Sequence, residues 1–349
     1  MKKLNADSFI FSMEKFLDAH KLPAWGITAA VLVLLPFGGL SAYIMRIFIM
    51  IGIYAMLGIG LNLLAGYTGQ VSFGHAGFFA IGAYTTALLM IRLNLNFFPA
   101  LLIGSAFTGL CGLLLGIPTL RLSGDYLTIV TLGFGEIIKM IITNWESMTN
   151  GTLGLNGIPA PSFFCLQLTL ENHGIYYLML VLLTLVSIAT VMIIKSNTGR
   201  AFLAIREDEM AAVMMGIKTT KFKALSFAIS ALITGIAGGL YAALVGYIDA
   251  NSFTFDVSTL IITIVIVGGM GTMRGMFLGA AVLISFPEVA RFLADYRFVV
   301  YGVVLVLMMR FRPQGLLGWK SQMPYKMPKL ATAALAKRSG ESLKKGEPA

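Results

Sequence analysis

The chain has 349 residues, of which 57% are hydrophobic and only 12% are charged, and its formal net charge is +10. Soluble domains carry about 25% charged residues, so these values exclude an ordinary soluble enzyme, a disordered chain and a disulfide scaffold. The apolar residues occur in long runs, and a run of roughly 20 residues is enough to cross a bilayer. The sequence therefore predicts an all-α, polytopic membrane helix bundle.

Residues 1–22 are predicted to form a cytoplasmic amphipathic segment at the membrane surface. Lys2 and Lys3 precede apolar residues at helical spacing, with acidic residues between them, which is typical of interfacial helices. About ten spans follow, in a transmembrane domain that covers residues 23–318. They are predicted at 23–41, 44–65, 75–92, 97–119, 126–145, 175–194, 222–247, 257–272, 276–293 and 296–311.

The Lys and Arg residues are distributed unevenly around these spans, and basic residues collect in cytoplasmic loops of membrane proteins. With ten spans and an inner N-terminus, the outer side holds only Arg46, Arg92, Arg291 and Arg297. We therefore predict that both termini are cytoplasmic (N-in and C-in). The long loops are then an outer loop at 146–174 and a charged cytoplasmic segment at 195–223, and residues 319–349 form a basic cytoplasmic tail near anionic lipid.

A break in the apolar pattern separates the second and third predicted spans, from Gly66 to Gly77. Its glycines and polar side chains leave backbone groups that lipid cannot satisfy, so the break faces protein or a water-filled cavity. In one interpretation Gln70, Ser72 and His75 line a transport pathway. In the other the segment is a tight turn, in which Ser72 caps the next helix and His75 is hydrogen-bonded. A single His without neighbouring Cys, Asp or His predicts no metal site.

Glu136 lies within the span predicted at 126–145, and an ionisable residue inside a span is a functional candidate. It is therefore a further candidate pathway residue. The alternative is a structural ion pair with Lys139, which follows at a spacing of three residues on the same helix.

The inner segment combines acidic residues with a small, apolar surface. Glu207, Asp208 and Glu209 are predicted to open a short helix, where acidic side chains suit the positive end of the helix dipole. Its apolar surface would comprise Ala211, Ala212, Met214, Met215 and Ile217. Such a helix at the inner membrane surface is suited to dock into the groove of a partner, or else it packs on its own bundle.

No motif for catalysis or nucleic-acid binding accompanies these features. The sequence has no P-loop, no H-E-x-x-H and no G-x-S-x-G elbow, so we expect that the chain does not bind ATP through a P-loop and is not an enzyme. Basic residues beside membrane spans follow insertion topology, and no nucleic-acid-binding pattern occurs.

Four segments in the same order resemble the permeases of branched-chain amino acid ABC importers, specifically the M-type subunit. They lie at 61–84, 122–137, 204–217 and 311–318. The resemblance implies a multi-pass protein of the bacterial inner (plasma) membrane. It implies as partners a second, H-type permease subunit, ATP-binding cassette subunits and a periplasmic substrate-binding protein. It implies a membrane transport subunit without its own ATPase. It also implies no cofactor on this chain, because ATP binds to the partner ATPase subunits.

The same resemblance implies that residues 200–217 are the segment that couples the permease to the ATPase. The coupling residues would be Arg206, Glu207, Asp208, Glu209, Ala211, Ala212 and Gly216, in an E-x-A-A-x-x-x-G form that is shifted by one residue from the tighter E-A-A pattern. The expected function is high-affinity, ATP-driven import of Leu, Ile and Val. Alternatives are the same architecture for urea or short amides, or an ion-coupled secondary transporter, which would favour more buried carboxylates.

Overall fold

A computed structural model describes Pro36 and residues 41–119, 122, 124–163, 166–170, 172–289, 297–311 and 315–317. The predicted amphipathic segment 1–22 and the basic tail 319–349 lie outside these residues, as does nearly all of the first predicted span.

The described part of the chain is mainly helical, as predicted. The helices are α1 (Ala42–Leu61), α2 (His75–Arg92), α3 (Phe97–Thr119), α4 (Asp125–Asn144), α5 (Glu146–Thr149), α6 (Gly174–Lys195), α7 (Asn197–Glu207), α8 (Glu209–Met214), α9 (Thr219–Val245), α10 (Phe255–Gly268), α11 (Met273–Val289) and α12 (Arg297–Phe311). A π-helical stretch, Asn62–Tyr67, prolongs α1.

Among the described residues, six helical segments are long and apolar enough to cross a membrane. They are Ala42–Tyr67, Phe97–Pro118, Asp125–Asn144, Gly174–Lys195, Thr219–Val245 and Ala250–Gly268. Each overlaps one of the predicted spans. Helices α2, α11 and α12 overlap three more predicted spans but are not among the six, so the count of ten stays a prediction.

Helix α9 is the central helix of the bundle and packs against α1, α2 and α3. Small residues permit the approach, since a Cβ atom added to Gly82 of α2 would lie 2.5 Å from the Cα atom of Gly235 in α9. Lipid provides no hydrophobic drive between helices, so close backbone packing of this kind is a main source of association. Helix α4 packs chiefly on α2 and is the least buried of the six membrane-spanning segments.

The predicted outer loop 146–174 is more ordered than a plain loop. It contains α5 and three short strands, β1 (Leu155–Asn156), β2 (Ser162–Phe163) and β3 (Leu166–Gln167). Strand β1 pairs antiparallel with β4 (Tyr247–Ile248), which follows α9, and β2 pairs with β3. The loop is therefore tied to the C-terminal end of α9, at one end of the bundle.

Candidate functional site

Two helix breaks meet at the other end of the bundle. The first follows the π-helical extension of α1 and ends where α2 begins at His75. The second lies between α10 and α11, where Gly269 and Gly271 have φ angles of +107° and +84°. Side chains disfavour such φ values and glycine adopts them freely, so glycine permits the second turn. The sequence predicted the first break, and the π-helical turn that precedes it is a geometry common at functional sites.

The buried side chain of Asn62 joins these two breaks. Its Oδ1 accepts a hydrogen bond of 2.7 Å from the backbone N–H of Gly271, and its Nδ2 donates one of 3.3 Å to the carbonyl of Thr272. Backbone groups freed by a helix break need such partners inside a membrane protein. Asn62, the first residue of the π-helical stretch that precedes the first break, thus satisfies backbone groups of the second break.

Ser72 and His75 are packed into the protein interior and are completely buried. The Nε2 atom of His75 lies 2.8 Å from the Oγ atom of Ser230, which itself donates to the carbonyl of Gly60 at 2.6 Å. Because the Ser230 hydroxyl uses its proton on Gly60, His75 donates from Nε2. Ser72 Oγ accepts from the N–H of Gly74 at 3.2 Å. For these two residues the geometry favours the tight-turn interpretation. The expectation that Ser72 caps α2 was wrong, because the N-cap is Gly74 and no side chain caps this helix.

Gln70 instead lines a cavity of about 410 Å³ beside the first break. We call this space the inner cavity. Its wall includes Gln70, Asp125, Thr128, Arg206, Glu209 and Lys223, so it carries charges of both signs. Lys223 and Glu209 form an ion pair of 2.5 Å, with the Lys223 side chain 7% and the Glu209 side chain 42% exposed.

The predicted inner helix is in fact two helices, α7 and α8, with Asp208 between them. Asp208 caps α8 by accepting hydrogen bonds from the backbone N–H groups of Met210 and Ala211, at 2.8 and 3.0 Å. Glu209 is the first residue of α8, as the dipole argument requires. Glu207 ends α7 instead, so the expectation that it opens the helix was wrong: the extended Asp208 restarts the helix after it.

The exposed side of α8 is apolar. Met210, Val213, Met214 and Met215 are all exposed, the last two at 80% and 82%, whereas Ala212 is buried against the protein. Beside them lies an open groove of about 710 Å³, lined by α3, α8, the turn after α8 that includes Gly216, and the start of α9. We call this the α8 groove. Methionine suits adaptable docking surfaces because its side chain is flexible and polarisable.

Arg206 connects this inner segment to both helix breaks. Its guanidinium donates a hydrogen bond to the carbonyl of Gly66. The same group lies beside Gly271, since a Cβ atom added there would be 3.1 Å from Nη1 of Arg206. The predicted coupling segment and the predicted break are therefore in direct contact, although the sequence separates them by 140 positions.

Glu136 lies apart from this cluster, in the middle of α4. It is half-buried, as is Lys139, and no ion pair joins the two in the part of the chain that the structure describes. The same described residues contain no group of three His, Cys, Asp or Glu side chains that could hold a metal ion.

Comparison with known proteins gives the context for this site. The family model described as branched-chain amino acid transport system, permease component, matches residues 43–309. The chain belongs to this permease family. The permease is 40% identical to the high-affinity branched-chain amino acid transport system permease protein LivM of Salmonella typhimurium, over 76% of the chain and 68% of the relative, with the same values for LivM of Escherichia coli K12.

It is also 27% identical to LivH of Escherichia coli K12, over 76% of the chain and 91% of that relative. No solved structure matches. The family was therefore correctly identified from the four sequence segments.

The roles of Asn62, Ser230 and Gly271 were not predicted from the sequence. Asn62 did carry a signal, because it is a polar residue at the end of an apolar run. Ser230 carried none, since a serine within a span is common at helix contacts.

Proposed function

We propose that this permease is the transmembrane subunit of an ATP-driven importer that moves branched-chain amino acids into the cell. The single observation that carries the coupling role is the hydrogen bond from Arg206 to Gly66, which links the exposed α8 surface to the helix break. The cargo follows from the relatives, two of which are branched-chain amino acid permeases with 40% identity. Nothing in these relatives favours urea, short amides or ion-coupled transport.

The proposed protein is a multi-pass component of the bacterial inner membrane with about ten spans and cytoplasmic termini. Residues 195–223 and the inner cavity then face the cytoplasm, and the ordered loop 146–174 faces the periplasm. The contacts support this division, because Gln70 contacts Ser226 near the start of α9, whereas Ile158 bonds to Gly246 at its end.

The proposed partners are a second permease subunit, ATP-binding cassette subunits and a periplasmic binding protein. Similarity to both LivM and LivH supports a pair of different permeases. The α8 groove and the exposed methionines of α8 support an ATPase contact, because such apolar surfaces at the inner side need a covering partner. The coupling residues are those from Arg206 to Gly216 that the sequence indicated.

In the proposed mechanism, closure of the ATPase subunits moves α7 and α8 as one unit with Arg206. Because Arg206 bonds to the first break and lies beside the second, this movement changes the end of α1 and the turn before α11 together. The helices then alternate between outward and inward access. The cargo arrives as a zwitterion from the binding protein, and the apolar side chains of Leu, Ile and Val suit a largely uncharged passage.

Reconstitution tests this function. The permease, its second permease subunit and their ATPases are placed in liposomes, with the binding protein and labelled leucine on the outer side. We expect uptake that requires ATP inside and the binding protein outside, with no uptake of labelled urea. Leucine uptake without ATP, or urea uptake in place of leucine, would contradict the proposal.

Charged substitutions on α8 test the partner contact. Met214→Asp and Met215→Asp place carboxylates on side chains that are already exposed, so the fold is unaffected while the apolar contact is lost. We expect the ATPase subunits to be lost in co-purification and the second permease to be retained. Leu153→Asp is the matched control, because Leu153 is 79% exposed at the opposite end of the bundle.

A further inference from the structure

One membrane-spanning helix of the permease is both poorly buried and charged. Only 17% of the apolar stretch of α4 is buried, against 33% for α6 and 44% for α3, so all three have faces open to their surroundings. Helix α3 has no charged residue, and α6 has only Lys195 at its end. Helix α4 instead has Glu136 and Lys139 well inside the span. Charged side chains within a membrane face protein or water, because lipid contact is costly.

Glu136 and Lys139 belong to a continuous line of five residues along α4. Thr128, Leu132, Glu136, Lys139 and Thr143 follow one another at steps of four or three residues. At 3.6 residues per turn, this spacing places them along one side of the helix. All five are half-buried. We call these five residues the polar stripe.

A different face of α4 is suited to lipid. Val130, Ile137 and Ile141 are 41%, 55% and 47% exposed and carry no polar group. They follow one another at steps of seven and four residues, which places them together on nearly the opposite side of the helix from the polar stripe. Helix α4 thus has one surface suited to lipid and, on another side, the polar stripe, whose charged groups must face protein or water.

The polar stripe extends between the two ends of the bundle. Thr128, at its inner end, lines the inner cavity. Thr143, at its outer end, adjoins the periplasmic loop, since a Cβ atom added to Gly151 would lie 2.9 Å from the Thr143 carbonyl. Helix α4 has 20 residues, which corresponds to about 30 Å and therefore to the thickness of the hydrocarbon core.

The chemistry of the polar stripe matches a zwitterion with an aliphatic side chain. The carboxylate of Glu136 suits the ammonium group of an amino acid, and the ammonium of Lys139 suits its carboxylate. The two are not paired with each other in the described structure. Leu132 and the methyl groups of the threonines can contact an aliphatic side chain, and these contacts are too few to bind it tightly.

We propose that the polar stripe of α4 lines the route of the amino acid across the membrane, with the inner cavity as its cytoplasmic mouth. The opposite wall is supplied by the second permease subunit. This inference rests on the proposed import function and adds the residues that its cargo passes.

Cysteine accessibility tests the proposal in the assembled transporter in liposomes. Cys111→Ser and Cys165→Ser provide a cysteine-free parent. Single cysteines are placed at Thr128, Leu132 and Thr143 of the polar stripe, and at Val130, Ile137 and Ile141 as matched controls on the same helix. Each is treated with a charged, membrane-impermeant maleimide. Thiolates react and their formation needs water, so we expect stripe cysteines to react about tenfold faster or more than the controls.

Leucine supplied with the binding protein should slow the reaction at the stripe positions and leave the controls unchanged, whereas urea should have no effect. Equal rates on the two faces would overturn the proposal, as would stripe cysteines that react slowly and instead cross-link directly to the second permease. Size-exclusion profiles identify any variant that fails to assemble. The reaction rates at the remaining stripe positions then test the proposal. Uptake by the cysteine-free parent tests the import function separately, because water access to the stripe requires no transport.

Discussion

The guanidinium of Arg206 donates a hydrogen bond to the backbone carbonyl of Gly66, and these two residues lie 140 positions apart in the chain. The bond joins the end of α7 to the π-helical extension of α1. Gly69, after that extension, also packs on Arg206, because a Cβ atom added there would lie 3.3 Å from its Cγ atom. One side chain thus connects the surface proposed for ATPase docking to the helix break.

Arg206→Ala should uncouple ATP hydrolysis from uptake. A hydrogen bond to a charged donor contributes about 1.5–3 kcal/mol, and its loss frees the break from the movement of α7 and α8. We expect leucine uptake per ATP hydrolysed to fall about tenfold or more, with the subunits still assembled. Lys195→Ala is the control, because Lys195 is exposed at the end of α6. An unchanged ratio in the Arg206 variant would show that this bond does not transmit the movement.

The ion pair between Glu209 and Lys223 should respond unequally to loss of its two partners. Glu209→Gln leaves the 7% exposed ammonium of Lys223 without its counter-charge, whereas Lys223→Met keeps the side-chain volume and leaves a carboxylate that is 42% exposed. Removing one partner of a buried pair is destabilising because the other charge stays buried. We expect Glu209→Gln to lower the free energy of unfolding by about 1–2 kcal/mol, which is less than for a fully buried pair because water screens Glu209. Lys223→Met should lower it by less than Glu209→Gln does.

Thermal unfolding of the detergent-purified complex measures this difference. The double variant, with both substitutions, should regain part of the stability that Glu209→Gln loses. A larger loss for Lys223→Met than for Glu209→Gln would mean that packing, rather than charge, dominates at this site.

Asn62→Leu should destabilise the junction of the two helix breaks. The substitution is close in volume but removes an acceptor and a donor, so the N–H of Gly271 and the carbonyl of Thr272 lose their partner. Each unsatisfied buried group costs about 1–3 kcal/mol. Asn144→Leu is the control, since Asn144 is exposed and its side chain donates a hydrogen bond within its own helix, to the carbonyl of Met140. Thermal unfolding checks both variants, and equal stability would show that water replaces the lost bonds.

The contrast between Gln70 and His75 shows where sequence reasoning reached its limit. Both stand in one polar segment of the sequence, and both were candidates for the pathway. The break itself was predictable, because glycines and polar side chains interrupt an apolar run. The partner of His75 is Ser230, 155 positions away, and only the packing of α9 brings them together. The residues near His75 in the sequence do not indicate a contact with Ser230. The two interpretations of His75 therefore stayed equally open.

The six membrane-spanning segments were predictable for a simpler reason. A bilayer requires a long apolar run, and that requirement is visible residue by residue in the sequence. The restart of the helix at Asp208 depends only on neighbouring residues, yet it was not predicted. The helix dipole favours any acidic residue in the first turn, so it does not show which of three consecutive acidic residues begins the helix. Only the backbone shows that Asp208 is extended and accepts from two N–H groups.

Glycine substitutions on two helices should separate close packing from helix propensity. A Cβ atom at Gly82 would meet the backbone of Gly235 at 2.5 Å, whereas one at Gly133 would have nothing within 4 Å. Gly82→Ala therefore forces α2 and α9 apart, and overpacking of this kind costs about 1–3 kcal/mol. Gly133→Ala should be neutral or stabilising by up to about 1 kcal/mol, because alanine favours the helix more than glycine does. Thermal unfolding in the same detergent gives both values, and a Gly82→Ala variant as stable as the Gly133→Ala variant would contradict the tight contact between α2 and α9.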